Sequence, residues 1–299
     1  TYYNAKTMNQ TFNPELPVGE YARIYIQTGA VRNQGLELAL NYNNTWKDFT
    51  WNTGVTYSMN KNKILTLADN AINPITHEKF SISSLNMGGL GSTRFILKEG
   101  GSMGDIYSLM DLKRDANGAV YIDENNSVVT ESLEANNYIK LGSVLPKGNL
   151  AWRNNFSWKN INVAFLVSAR LGGVVFSRTQ AVLDNFGVSE ASAAARDKGY
   201  VSVNGNDRVN PEGWYSVVAG GTAVPQYYIY SATNIRLQEA SIGYTIPRKW
   251  LGNVCDIKVS LIGRNLWMIY NKAPFDPESV ASTDNFYQGI DYFMMPSLR

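Results

Sequence analysis

The stretch Asn160-Ile161-Asn162-Val163-Ala164-Phe165-Leu166-Val167-Ser168-Ala169-Arg170-Leu171 separates into two faces when it is taken two residues at a time. Ile161, Val163, Phe165, Val167, Ala169 and Leu171 share one side. Asn162, Ala164, Ser168 and Arg170 share the other, with Leu166 the one apolar intruder. Successive side chains of a strand point to opposite sides, so the pattern predicts a strand with one apolar and one wet face. The alternation returns, with few exceptions, across 36–43, 51–60, 150–158 and 255–261, and several of these runs are joined in pairs by very short turns. Half-apolar strands repeated on tight turns predict an all-β chain, the wall of an antiparallel transmembrane β-barrel.

Composition agrees with a surface that meets something other than water. The 299 residues include 18 Tyr, 7 Trp and 11 Phe, with only 17% charged side chains, which is aromatic-rich and charge-poor for a soluble domain. No apolar run reaches the roughly 18 residues of a membrane helix. The most apolar stretch, 161–176, is interrupted by Asn162, Ser168 and Arg170, so a bilayer would be crossed by strands. A net charge of +2 and the lack of any Lys/Arg run give no footing to nucleic acid or to an acidic partner. A single cysteine, Cys255, excludes an intramolecular disulfide and a CxxC motif, and reads as a small strand residue facing lipid or a neighbour. The sequence opens on the strand-like Thr1-Tyr2-Tyr3 without a signal peptide, which for an exported barrel implies a mature or cut piece.

Short and long connections alternate. The turns at 45–48, around Lys159 and at 247–253 are short, whereas 61–147, 172–228 and 271–291 are long. Outer-membrane barrels turn tightly on the periplasmic side and carry long loops outside. Strands at 1–9, 33–44, 50–60, 149–158, 160–171, 229–246, 254–270 and 292–299 then place every turn on a consistent side. Trp46, Trp51, Trp158 and Trp250 lie at or beside the short turns, where an aromatic girdle meets lipid headgroups. Within 229–246 the apolar positions switch from odd (Ile235, Leu237) to even (Ala240, Ile242, Tyr244, Ile246), predicting a β-bulge near Gln238-Glu239. A soluble sandwich with aromatic-plugged turns is the competing architecture.

Several phrases carry a family resemblance. They are Asn33-Gln34-Gly35-Leu36-Glu37-Leu38, Asn60-Lys61-Asn62-Lys63-Ile64, Gly100-Gly101-Ser102-Met103-Gly104, the run from Asn234-Ile235-Arg236-Leu237 to Ile246-Pro247, Gly263-Arg264-Asn265-Leu266, Asp276-Pro277-Glu278 and Met295-Pro296-Ser297-Leu298-Arg299. In order and spacing they resemble the C-terminal part of the SusC-like (SusC/RagA family) TonB-dependent outer-membrane transporters of Bacteroidetes-type bacteria. The resemblance implies a 22-stranded barrel filled by an N-terminal plug. About eight of those strands would be here, with residues 1–299 forming one C-terminal barrel portion and the plug and signal peptide absent from this chain. It further implies outer-membrane lipid around the wall and energy from the TonB-ExbB-ExbD complex through the missing N-terminal part. A SusD-like surface lipoprotein would be the partner, and the imported nutrient an oligosaccharide or a peptide.

Catalytic motifs find little support. Gly100-Gly101-Ser102-Met103-Gly104 fits G-x-S-x-G, but the triad histidine of that fold follows its serine, whereas His77, the one histidine, precedes it. The segment reads as a flexible glycine-rich loop and His77 as a loop residue. Asp115-Ala116-Asn117-Gly118, with Asp123 and Glu124 after it, resembles a calcium loop whose glycine comes too early. A β-turn explains Asn117-Gly118 better, although oxygen ligands for Ca²⁺ could collect between Asp115 and Asp123. Neither Asp105 with Asp111 nor Asp276 with Glu278 has a feature that would split the two pKa values, as a glycosidase requires. No catalytic residue, metal site or cofactor is expected, and the chain does not read as an enzyme.

Two groups of residues remain as site candidates. Arg153, Arg170, Asp256, Lys258 and Arg264 fall on the wet faces; Arg153, Arg170, Lys258 and Arg264 are the expected lumen-lining cations, pairing across the interior or meeting substrate. In the long loops, Tyr107, Trp214, Tyr215, Tyr227 and Tyr228 are the expected substrate contacts, with Tyr121 and Tyr230 nearby, because aromatic faces are platforms for sugars. Packing within the loops is the competing role for each ring. The functional expectation is TonB-dependent import of a nutrient, oligosaccharide ahead of peptide, with a SusD-like lipoprotein. A non-transporting surface adhesin or carbohydrate-binding β-protein is the alternative.

Overall fold

A computed structural model describes residues 1–12, 25–73, 76–221, 224–278 and 288–291. Seven strands form one sheet: β1 (Tyr2–Phe12), β2 (Ile26–Trp46), β3 (Phe49–Thr66), β4 (Gly148–Trp158), β5 (Ile161–Leu171), β6 (Asn234–Ile246) and β7 (Ile257–Asn271). They lie side by side in chain order, every neighbouring pair antiparallel, as in the wall of an up-and-down barrel. The expected eighth strand at 292–299, with its Met295-to-Arg299 phrase, lies outside the described residues.

Register turns the one-strand pattern into a two-faced wall. One row of cross-strand partners runs Leu40, Val55, Trp152, Val167, Leu237, and another runs Asn44, Trp51, Phe156, Val163, Ile242, Leu261. One residue along, the opposite face reads Asn41, Gly54, Arg153, Leu166, Glu239, Arg264. Leu40 and Leu261 are each 75% exposed, and no described part of the chain covers the apolar side. A continuous uncovered apolar sheet face is stable against hydrocarbon and not against water.

The bulge forms where the parity change requires it. Leu166 pairs with Glu239 and Val167 with Leu237, so Gln238 is the extra residue, and β7 slips at the same level. Two-residue turns at Lys47-Asp48 and Lys159-Asn160 close the first two hairpins, with Lys47 and Lys159 at φ 53° and 50°. The third short turn is a single 3-10 turn, Arg248–Leu251, ended by Gly252 in the left-handed region. Lys159 N donates to Asp48 O (3.1 Å) and Thr245 N to Asn160 O (2.8 Å), which sets the three turns side by side.

Some expected boundaries need correction. The span 229–246 is not one strand: Ile229–Ser231 pairs with Val174–Ser177 in the loops, and the wall strand begins only at Asn234. Cys255 is exposed just ahead of β7 instead of within it. Asn60-Lys61-Asn62-Lys63-Ile64 does not follow a strand but continues β3 against 31–35. Consequently β2 and β3 reach 21 and 18 residues, well beyond the 9–11 or so that cross a bilayer. Their excess stands outside the membrane.

There the described parts of the long connections 67–147, 172–233 and 272–291 pack into one body. Phe95, Ile106, Leu112 and Val128 of the first share a core with Phe176, Val209, Val218 and Tyr228 of the second and Ile290 of the third. A smaller core, Ile26, Val31, Ile64, Leu67 and Leu97, seats the β2–β3 hairpin against the first connection. Three short helices belong to the second: α1 (Arg178–Asn185), α2 (Glu190–Lys198) and α3 (Pro211–Val218). Their termini carry the expected chemistry. Ser177, Ser189 and Asn210 cap the first turns through side-chain oxygens, and α2 ends on Arg196, Lys198 and a left-handed Gly199.

Candidate functional site

The loop body is fastened to the wall by ions. Arg236 of β6 is 7% exposed and forks onto Asp276, Nη1 to Oδ2 at 3.2 Å and Nη2 to Oδ1 at 2.8 Å, while Nη2 also reaches Glu278 at 3.1 Å. The Asn234 side chain donates to Glu278 (3.1 Å) and accepts from Arg236 Nε (3.2 Å). One strand away, Arg170 Nη2 donates to Val144 O of the first connection (2.6 Å). Removing one partner of such a buried pair strands the other charge and costs roughly 3–5 kcal/mol. The sequence reading missed Arg236, although its alternation sets Asn234 and Arg236 together on the wet face. Asp276 and Glu278, which showed no feature of a catalytic pair, are the anionic half of this junction.

On the wet face the described strands form a pocket of about 760 Å3 lined by Glu37, Thr56, Ser58, Asn149, Ser168, Arg170 and Glu278, among others. Of the remaining expected lumen cations, Arg264 pairs with Glu239 on the neighbouring strand (Nε to Oε2, 3.0 Å). Asp256 is held by Arg248 across the third short turn (3.2 Å). Arg153 and Lys258 lie exposed on the same face. Among the described residues these charges pair along the wall or hold the loops, apart from the exposed Arg153 and Lys258.

The two glycine- and asparagine-rich phrases meet each other. Asn62 Oδ1 accepts from Met103 N (2.8 Å) and Ser102 Oγ (3.3 Å), and Ile64 N donates to Gly101 O (2.8 Å). Asp105 accepts from Ser102 N (2.9 Å) and Lys140 Nζ (2.5 Å). The expected flexible loop is instead a strap pinned to the outer part of β3, and a Cβ on Gly101 would sit 2.9 Å from Asp105 Oδ2. His77 sits in an exposed turn at φ 57°. Asp115 and Asp123 each spend a carboxylate oxygen on their own turn, accepting from the backbone N–H groups of Asn117 and Ala119, and of Asn125 and Ser127. These are β-turns, the second with Asn126 at φ 58° in place of a glycine.

The aromatic candidates divide by burial. Tyr228 is 2% exposed and its hydroxyl donates to Asp184 Oδ2 (3.0 Å); burial, then the Asp184 charge and that hydrogen bond, push its pKa far above the phenol range. Tyr107 is also interior, and burial raises its pKa. Both rings are covered by the packing of the loops. Trp214 packs on the shared core and meets Tyr227 edge-on at 5.3 Å, leaving Tyr227 40% exposed. Tyr215 is half-buried, its pKa raised by burial and then by Asp184. Tyr230, against Phe275 at 5.6 Å, is pushed up to about 12 by the same two causes in the same order.

Known proteins similar to the chain are TonB-dependent receptors by name. The whole chain aligns with TonB-dependent receptor P3 of Formosa agariphila at 25% identity, and 93% of it with TonB-dependent receptor P26 of the same organism at 28%. It spans 31% and 29% of the length of those two relatives. This chain resembles part of a TonB-dependent receptor. Its fold matches the RagAB peptide transporter with a TM-score of 0.64 over 90% of this chain and 29% of that one, at 15% identity. The RagAB peptide importer in its 'open-open' state gives 0.63 over 96% and 31%, at 17% identity. No family model matches. The similarity to these receptors points to an outer-membrane location in a Gram-negative bacterium.

Proposed function

We propose that the chain is the C-terminal barrel portion of an importer that takes an oligomeric nutrient across the outer membrane, energised by the TonB-ExbB-ExbD complex through a preceding plug. The observation that carries this reading is the preformed body over the polar face of the sheet: three connections share a core and are bolted to the wall at Arg236, Asp276 and Glu278. A receptor surface of that kind suits docking of a SusD-like lipoprotein better than mere closure of the barrel. Peptide is the first substrate class to test. Tyr107 and Tyr228, two of the rings behind the oligosaccharide expectation, are packed inside, and the similar RagAB structures are described as a peptide transporter. Trp214, Tyr215 and Tyr227 remain the aromatic contacts proposed for the substrate, with Arg153 and Lys258 along its route. The test is deletion of the gene in its own host, followed by uptake of labelled peptides and oligosaccharides with and without a protonophore. Loss of uptake of one class on deletion, and the same loss on collapsing the proton gradient, is expected. Uptake that survives both treatments overturns the proposal.

A further inference from the structure

On the apolar face, β5, β6 and β7 enclose a groove of about 620 Å3. Its floor is made of the smallest side chains in the row, Ala240 opposite Gly263, with Phe165 on the other side of Ala240. Leu237 and Leu266 wall one end and Ile242 and Leu261 the other. The bulge creates it: Asn265 adopts φ 52°, and Leu266 swings onto the apolar side, where a Cβ on Gly263 would lie 2.6 Å from Leu266 Cδ2. From Ala240 to the end of β6 at Ile246 the strand covers about 20 Å at roughly 3.3 Å per residue. A tilt of about 45° makes that about 14 Å of depth, close to half of a hydrocarbon core of about 30 Å. The groove therefore sits one leaflet's depth from the short turns.

At those turns the rim is cationic and aromatic. Lys159, Arg248 and Lys249 are exposed there beside Trp158 and Trp250, and the backbone bond from Thr245 N to Asn160 O sets the Lys159 turn against the Arg248 turn. Asp256 engages Arg248 at 3.2 Å, and Lys159 lies over the Trp158 ring at 5.4 Å. Positive charge remains in excess. We propose that the groove and this rim bind one anionic phospholipid of the leaflet on the short-turn side, an acyl chain lying on Ala240 and Gly263 and the phosphate held by Lys159 and Lys249. A chain seated in a notch keeps dispersion contacts that a flat wall does not offer, and each lysine at the surface adds attraction for an anionic headgroup. The inference rests on the membrane-wall reading of the sheet and not on import, so it stands or falls independently of any transported substrate.

The test uses the full-length receptor purified in detergent. Phosphatidylglycerol with a diazirine on its acyl chain should crosslink to peptides containing 163–165, 237–242 and 261–266 in the unaltered protein. Crosslinks spread evenly along the wall, or concentrated at the loop-side end, overturn the proposal. Native mass spectrometry against a phosphatidylglycerol and phosphatidylcholine mixture supplies the second reading. Lys159→Gln and Lys249→Gln should each lower the preference for phosphatidylglycerol by about fivefold, and Ala240→Phe should reduce retention of both lipids without altering their ratio. An unchanged preference in the double lysine variant, or retention of a second receptor copy in place of lipid, refutes it. Heat-shifted migration on gels identifies any variant that fails to fold, and the crosslinking map on unaltered receptor then decides alone.

Discussion

Phe165 and Ala164 are neighbours in sequence and face different solvents. Phe165 lies edge-on to Trp152 at 5.5 Å and near Phe156 at 6.1 Å, within the apolar rows. Ala164 stands opposite Asn155 and Ser241 on the wet face. Phe165→Arg in the full-length receptor should therefore cost roughly 2–4 kcal/mol, the penalty for arginine near the bilayer midplane, while Ala164→Arg should cost much less. Resistance to detergent unfolding compares the two directly, and equal damage would contradict the assignment of faces. Among the loop tyrosines the sign of the pH dependence follows from burial. Tyr230, pushed up to about 12, keeps its proton in the folded state above the ordinary phenol value, so the stabilisation it lends is complete below pH 10 or so and is lost as pH rises towards 12. Phenolate absorbance should show this delayed ionisation in the native protein, and Tyr230→Phe should flatten the alkaline loss of loop stability.

At the scale of elements, the wall strands were legible because lipid lies on one side of each and water on the other, which writes a period of two into the sequence. Where that contrast ends, legibility ends. The outer part of β2 and β3, with Asn60-Lys61-Asn62-Lys63, continues to pair beyond the bilayer, so its strands lack the apolar stripe that would mark them. Ile229–Ser231 has the residues of a wall strand and belongs to a loop sheet, since β-propensity does not say which sheet a strand joins. The Arg236 junction joins positions 40 residues apart, beyond the reach of any local pattern. The bulge was legible because it inverts the parity of apolar positions in mid-strand, with a clear apolar stripe on both sides of it. Gln238 is its unpaired residue, so deleting Gln238 leaves Leu237 and Glu239 on the faces they already occupy. Deleting Ala164 from the regular β5 would instead turn half of that strand inside out. The Gln238 deletion should yield folded, heat-shifting receptor and the Ala164 deletion should not; equal outcomes would mean that the bulge does not set the register.

For the molecule as a whole, the wall has two ends with different accessibility. In a Cys255→Ser background, cysteines at Asn125 and Asn206, both exposed in the loop body, should react with an impermeant thiol reagent on intact cells. Cysteines at Lys159 or Asn253, at the short turns, should react only after the outer membrane is opened. The reverse pattern would invert the topology.

The shared loop core also constrains the order in which the protein can be made. Phe95 and Phe176 are buried in one cluster with Ile290, and the residues that join them are separated by membrane strands. Long-range contacts of this kind form late, because much chain must be ordered before they are rewarded. The loop body therefore closes only once the segment around Ile290 has been brought beside the other two connections. A receptor stalled partway through insertion would expose open apolar loops that quality-control proteases can recognise. Completion of the core is thus a structural record that the wall strands between these connections are in place.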